Sequence, residues 1–262
     1  MNVFVFDIET VPDVQSGRRL YGLQGLSDRH VAEIMFQQRR QSMGGEFLPH
    51  HLHRIVAISA VLRSGDRLKV WSLGHPDSPE RELLERFFEG LDRYSPVLVS
   101  WNGGRFDLPV LHYRTMLHGV AAPRYWEAGE SDASFRWNNY LNRFHYRHTD
   151  LMDVLSGYQG RAVVGLQEMA MLVGLPGKLG MDGSQVWEYY LLGDRAAIRH
   201  YCEVDVLNTY VLYLRFELMR GRLTAPGYAL ECQRVRDLLA REGKPHFEAF
   251  LAGWVDHERQ GE

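Results

Sequence analysis

Cysteine is nearly absent: Cys202 and Cys232 are the only two in the chain. That excludes a disulfide framework and predicts a reducing, cytoplasmic setting. No stretch approaches the ~18 consecutive apolar residues of a membrane span, which excludes a membrane partner on this reading. The opening MNVFVFDIET lacks the basic leader and small-residue cleavage site of a secretory signal. Positive charge is not in excess either, the net charge being −3. This excludes a protein that coats nucleic acid through bulk charge, so a polyanion partner must be held by a local patch or through bound cations. Lysine is confined to Lys69, Lys178 and Lys244; a genomic base bias explains that more simply than phosphate recognition does. No internal repeat, low-complexity tract or Pro/Gly/Ser-rich linker divides the 262 residues. That length is about the upper limit for one hydrophobic core, and a single domain over 1–262 is expected.

What is present reads as a mixed α/β sheet. Val3-Phe4-Val5-Phe6 is a short apolar run suited to a buried strand. Ile55 to Leu62 and Leu68 to Leu73 follow as strands around the turn signal Ser64-Gly65-Asp66. Pro79 to Tyr94 has helical spacing, with Leu83, Leu84, Phe87, Phe88 and Leu91 on one face. Val97 to Trp101 is a fourth strand, Leu108 to Leu117 a helix, and a fifth strand ends near Thr149. Helices are then expected around Leu166–Val173, Gln185–Leu192 and Arg195 to Arg220, with a helical extension over about 221–262 from Pro226 onward. Hairpin-linked strands followed by strand–helix alternation indicate a five-stranded mixed sheet flanked by helices. Residues 11–54 form an insertion too long for a plain loop. In it Ser27 can cap a helix with Val31, Ile34 and Met35 on one face, as a peripheral packing helix, a lid or a docking surface.

Four acids carry the chemical signal. Asp7 and Glu9, two apart at the end of the first strand, point to the same face, where burial is costly without a cation or donors. Asp107 follows a strand and the turn Asn102-Gly103-Gly104, at the start of a helix, where an acid also serves as a cap. The paired glycines permit a ligand to approach the backbone closely. Asp205 lies four residues after Tyr201, on the same face of a largely apolar helix.

In this order and on these elements, the four resemble the DEDD superfamily of 3′–5′ exonucleases, which have a ribonuclease H-like fold. Phe6-Asp7-Ile8-Glu9-Thr10 matches the first motif, Asn102-x-x-x-Phe106-Asp107 the second and Tyr201-x-x-x-Asp205 the third. The tyrosine form is the DEDDy branch, which includes the proofreading domain of family B DNA polymerases. Stand-alone bacterial exonucleases related to that domain are especially similar over 101–111 and 201–210. The resemblance runs from Val3 to about Phe216. It implies a ribonuclease H-like sheet and two Mg²⁺ or Mn²⁺ ions, which four carboxylates would hold as hard oxygen ligands. It implies further that Asp7 bridges both ions, that Glu9 and Asp205 hold the ion binding the attacking water, and that Asp107 helps hold the other. Tyr201 would orient that water, and Asn102 and Phe106 would contact the substrate.

His200 fits the five-residue offset of the histidine branch, His-x-x-x-x-Asp. Five residues leave it ~140° from Asp205, whereas Tyr201 is within ~40°. A helix starting before His200 therefore favours the tyrosine. Phe135 to His148 is rich in aromatics and arginine and holds no acid. It reads either as core packing or as a single-strand surface in which Arg136, Arg143 and Arg147 would bind substrate. Asp150 is expected to cap the helix that follows it, with Asp153 in the first turn. His50, His51 and His53 match no zinc spacing and read as a loop. The expected substrate is nucleic acid with a free 3′ end, single-stranded DNA before RNA or oligoribonucleotides, with a polymerase or repair partner in trans. The rival from another class is a silent nucleic-acid or polymerase-binding module.

Overall fold

The computed structural model describes residues 2–255. The chain begins with strand β1 (Asn2–Pro12) and helices α1 (Val14–Tyr21) and α2 (Asp28–Met43). The hairpin β2 (His53–Ser64) and β3 (Arg67–Ser72) follows, then α3 (Glu80–Tyr94), β4 (Val97–Ser100), α4 (Asp107–His118), α5 (Pro123–Trp126) and β5 (His148–Asp150). The remainder is helical: α6 (Leu151–Leu155), α7 (Leu166–Leu172), α8 (Val186–Leu191), α9 (Arg195–Met219), α10 (Ala225–Glu242) and α11 (Pro245–Gly253). The five strands lie in the order β3-β2-β1-β4-β5. β2 and β3 run antiparallel to their neighbours, while β1, β4 and β5 are parallel. This is the ribonuclease H-like α/β arrangement.

β1 is buried on both sides because it lies at the centre of the sheet. Its residues sort by parity: Val3 and Val5 pack toward α9, whereas Phe4, Phe6 and Ile8 pack toward α3 and α4. On that second side α3 presents Leu83, Leu84, Phe87, Phe88 and Leu91, all buried, as its spacing predicts. On the first, the 25-residue α9 crosses the sheet and is covered in turn by α10 and α11, through Tyr228, Val235, Leu239, Phe247 and Phe250. That second cover explains why α9 is apolar nearly all round, and why any polar group on it needs a reason.

Three boundaries differ from expectation. β1 does not end at Glu9 but stays paired with β2 to Pro12↔His53, beyond a bulge where Glu9 faces Ala57 and Thr10 faces Ile55. The connection between β1 and β2 is therefore shorter than 11–54, and it carries two helices rather than one. Ser27 does cap α2, accepting from His30 N. Val31, Ala32 and Met35 are buried there, but Ile34 is only half-buried, because the packed stripe runs toward Val14, Leu48 and Leu52. Over its described residues the C-terminal extension is likewise two helices, broken where Gly243 (φ 59°) ends α10 and Pro245 starts α11, and the rest of the expected extension, 256–262, lies outside the described residues. Among the described residues no helix is long and apolar enough to cross a membrane.

Candidate active site

The odd face of β1 continues from Val3 and Val5 to Asp7 and Glu9, so the strand period itself delivers both carboxylates to the α9 side. Glu9 is buried and Asp7 half-buried. A β-bulge of this kind beside Glu9 is a recurrent device for aiming a side chain at a site. From α9, Cys202 comes down onto the same spot: its thiol donates to the Asp7 carbonyl (3.4 Å) and lies 3.6 Å from Asp7 Oδ2. One ligand atom each from Asp7, Glu9 and Cys202 fall within 4.8 Å of one another.

Asp107 reaches the site by completing a strand edge. Pairing of β1 with β4 covers Val3↔Val97 to Val5↔Val99. Beyond that point the Ile8 N–H donates to Asp107 Oδ1 at 3.1 Å. The turn before Asp107 is held by Asp150, whose carboxylate accepts from the backbone N–H of Asn102 and of Gly104, each at 2.9 Å. Asp150 also caps α6, accepting from Asp153 N, as expected of it. Asn102 sits at φ 66°, a left-handed conformation that asparagine tolerates better than most residues. Gly103 has a packing reason beyond any ligand approach, since a Cβ there would lie 2.3 Å from Ser100 Oγ.

α9 starts at Arg195, capped by Asp194, ahead of both His200 and Tyr201. Asp205 and Tyr201 therefore share the buried face toward β1, while His200 is exposed and stacks on His246 at 4.1 Å. The Tyr201 hydroxyl is pushed well above its ordinary range by burial and then by the charges of Asp205, Glu9 and Asp7. Burial is also the first cause raising the carboxyls of Asp7, Glu9, Asp107 and Asp205. For Asp7 and Glu9 the charges of the neighbouring acids add to it. Asp205 Oδ1 is buried with no hydrogen-bond partner among the described residues.

One residue that sequence reasoning missed belongs here. Lys178, on the loop between α7 and α8, opposes the charge of Asp7, Glu9 and Asp205, and its Nζ lies 5.2 Å from the Tyr201 ring. Its scarcity as one of three lysines was the only sequence signal. Position in a loop far along the chain is not legible from spacing.

The remaining candidates separate. Phe106 lines a cavity of about 390 Å³ together with Glu9, Thr10, Phe47, His53 and Trp187. The insertion contributes Phe36, Phe47 and Leu48 to that wall, so it packs as a peripheral element and also borders the site. His50 and His51 are not a plain loop but the start of a 3₁₀ turn (His50–Leu52), and His53 opens β2 with its ring bonded to Thr10 Oγ1. The 135–148 stretch divides between its two readings. Phe135 and Tyr140 are buried, and Arg147 lies 3.6 Å from the Phe135 ring centroid while donating to Asn138 O. Trp137, Phe144 and Tyr146 are exposed, as are Arg136 and Arg143, the latter paired with Asp153.

Four carboxylates, three of them buried and Asp7 half-buried, facing one lysine among the described residues, fit a divalent cation site. Their donors are hard oxygens, one of them is orphaned, and without cations they repel one another. The Cys202 thiol is pushed up by burial and by Asp7, so it stays a proton donor at this site.

No curated protein matches the chain. A family model does match, over residues 45–254, four-fifths of the sequence. The match takes in Asp107, Lys178, Tyr201 and Asp205, while Asp7 and Glu9 join them through the sheet. The chain belongs to the family described as predicted 3′–5′ exonucleases related to the exonuclease domain of PolB, and it is a hydrolase of that kind.

Proposed function

We propose that this exonuclease is metal-dependent and removes nucleotides one at a time from the 3′ end of single-stranded DNA, releasing nucleoside 5′-monophosphates. The observation that carries the reading is the set of Asp7, Glu9, Asp107 and Asp205, the first half-buried and the others buried, which among the described residues lack the ion pairs that Asp13, Glu80 and Glu203 have. Two Mg²⁺ or Mn²⁺ ions, when bound, would neutralise phosphate charge and lower the pKa of a bound water. Asp7 would hold both ions, Glu9 and Asp205 the one nearer the attacking water, and Asp107 the other.

The protein's own groups then do the positioning. The Tyr201 hydroxyl, kept protonated by burial and the surrounding carboxylates, donates and accepts a hydrogen bond without competing for the proton of that water. Lys178 brings a positive charge to the cluster and would meet charge developing on the phosphate. The cavity beside Glu9 is sized for a single unpaired nucleotide, with Phe47, Phe106 and Trp187 offering ring faces for the terminal base. A paired 3′ end would first have to fray, which favours single strands. Asn102, at the strained turn, would contact the terminal sugar. A polymerase or repair enzyme acting in trans would supply such ends. Cys202 and Cys232 are both buried and form no disulfide among the described residues, and a reducing cytoplasm is the setting this reading expects.

A digestion ladder tests this reading. It uses 5′-labelled DNA and RNA, single- and double-stranded, with Mg²⁺ or Mn²⁺ and Asp7→Ala as control. The expected result is stepwise shortening of single-stranded DNA from the 3′ end that stops with EDTA and in the variant. Undiminished cleavage in EDTA sinks the metal mechanism, and faster shortening of RNA reassigns the substrate.

A further inference from the structure

A second surface, not part of the acid cluster, combines cations and exposed rings at the β5 edge of the sheet. A cavity of about 410 Å³ there is lined by Phe144, Tyr146, His148, Tyr158, Phe216, Arg220 and Arg222, and by no acid. Phe144 and Tyr146 are 63% and 61% exposed, so core packing does not account for them. The rings and guanidinium groups alternate. Arg143 lies 5.6 Å from Phe144 and 5.1 Å from Tyr158, and Arg220 and Arg222 each lie 5.6 Å from Tyr146. Two acids beside this surface do not cancel it. Asp153 is shared between Arg105 and Arg143, and Glu217, ion-paired with Arg220 at 3.1 Å and also facing Arg222, offsets only one of those two arginines. On a chain with net charge −3, this is a local positive patch.

Tyr158 adds an independent sign. It holds φ 62°, a left-handed conformation that is a genuine outlier for a bulky aromatic residue. The Tyr158 N–H bonds to Asp153 O at 2.8 Å, and its ring meets Phe144 edge-on at 4.8 Å. The strained backbone thus turns the ring toward the exposed surface.

The surface is joined to the active site at both ends. Arg105 directly precedes Phe106 and Asp107, and through Asp153 it is bridged to Arg143. On α9, Phe216 lies eleven residues beyond Asp205, about 16 Å along the helix axis. That span matches about five nucleotides at the stacked rise of 3.4 Å, fewer when the strand is stretched.

We propose that this surface is a tract for the same DNA strand upstream of the scissile bond, with bases on Phe144, Tyr146 and Tyr158 and phosphates on Arg143, Arg220 and Arg222. The inference rests on the exonuclease reading and deepens it by assigning a minimum substrate length. Rings interleaved with arginines are what sequence-tolerant single-strand binding requires.

The test measures kcat/KM on single-stranded DNA from two to ten nucleotides with wild type, Arg220→Ala/Arg222→Ala and Tyr146→Ala. For wild type, kcat/KM is expected to climb at least tenfold with length and level off near five or six nucleotides. In the double variant the decamer-to-dinucleotide ratio should fall about tenfold. The salt slope of decamer binding, followed by fluorescence anisotropy with Ca²⁺ in place of Mg²⁺, should flatten by about 0.7 per arginine removed. Because Glu217 is left unpaired in that variant, Arg222→Gln alone serves as a second, milder form with the same sign. A wild-type profile already flat at two nucleotides overturns the tract. So do variants that bind and cut the decamer as wild type does. A wild type that cuts no length at all overturns the exonuclease reading instead, and the anisotropy series still decides whether the tract binds DNA.

Discussion

Two kinds of buried acid coexist in this molecule. Asp13 and Glu80 meet at Arg114, which donates through Nε to Glu80 Oε1 at 2.8 Å and through Nη1 to Asp13 Oδ2, while His118 lies 2.7 Å from Glu80 Oε2. Burial alone would raise the Asp13 carboxyl, but bonds from Ser16 and Arg114 outweigh it and hold it low. Glu203, on α9 itself, is of the same kind. Ser72, His246 and Lys244 overcome its desolvation and bring it down to about 2. Two residues further along that helix, Asp205 has an orphaned oxygen and a raised carboxyl. One class of acid is paired within the chain and ties elements together; the other is left open for charge from outside. Burial does not separate them, since Glu203 and Asp205 are buried to nearly the same degree. Partner inventory does.

The largest test of that distinction is to remove an open acid. Asp7→Ala or Asp205→Ala should lower nuclease activity a thousandfold or more, about 4 kcal/mol in the barrier. Thermal stability without metal should stay at or above the wild-type value, because a repelling charge has gone. Mn²⁺ at a hundredfold excess over its dissociation constant should stabilise wild type by about 2.7 kcal/mol if one site dominates, and stabilise either variant far less. Denaturation of the metal-free variants well below wild type would mean that these acids are structural after all.

Removing the centre of the paired cluster should do the reverse. Arg114→Ala leaves Asp13 and Glu80 buried without their cation, and a loss of about 3–5 kcal/mol is expected by urea denaturation. Arg114→Met should cost a similar amount, since it keeps volume but not charge. A loss under ~1 kcal/mol for both would dissolve the contrast between the clusters.

The smallest effect separates two neighbours on α9. Tyr201→Phe keeps the ring packing and removes only the hydroxyl beside the open acids, so the rate should fall roughly tenfold, about 1.4 kcal/mol, with Mn²⁺ binding retained. His200→Ala, on the exposed side against His246, should stay within about twofold of wild type. Steady-state rates on one oligonucleotide decide between them, and the opposite ranking would assign the water-orienting role to the histidine.

Much of this was legible without coordinates, for reasons that are local. A strand has a period of two, so Asp7 and Glu9 had to share a face. A helix has 3.6 residues per turn, so Tyr201 had to share one with Asp205 and His200 did not. Most strand and helix assignments followed from apolar spacing, and the mixed character of the sheet from hairpin-linked strands followed by strand–helix alternation, while the strand order came only with the structure. Other features have no local cause. The length of β1 is set by pairing with β2 across a bulge, and Asp107 joins the site through the Ile8 N–H, ninety-nine residues away in sequence. Lys178 enters on a loop whose path is fixed by what it packs against. Within 135–148, residues of the same type part ways: Phe135 and Arg147 pack inward, while Phe144 and Arg143 stay on the surface. The sequence by itself determined which chemistry the chain carries, because motif spacing and secondary-structure period are properties of neighbours along the chain. Which acids are paired and which stay open was decided only by the tertiary structure, because a partner for a buried charge can come from any element that folding brings beside it.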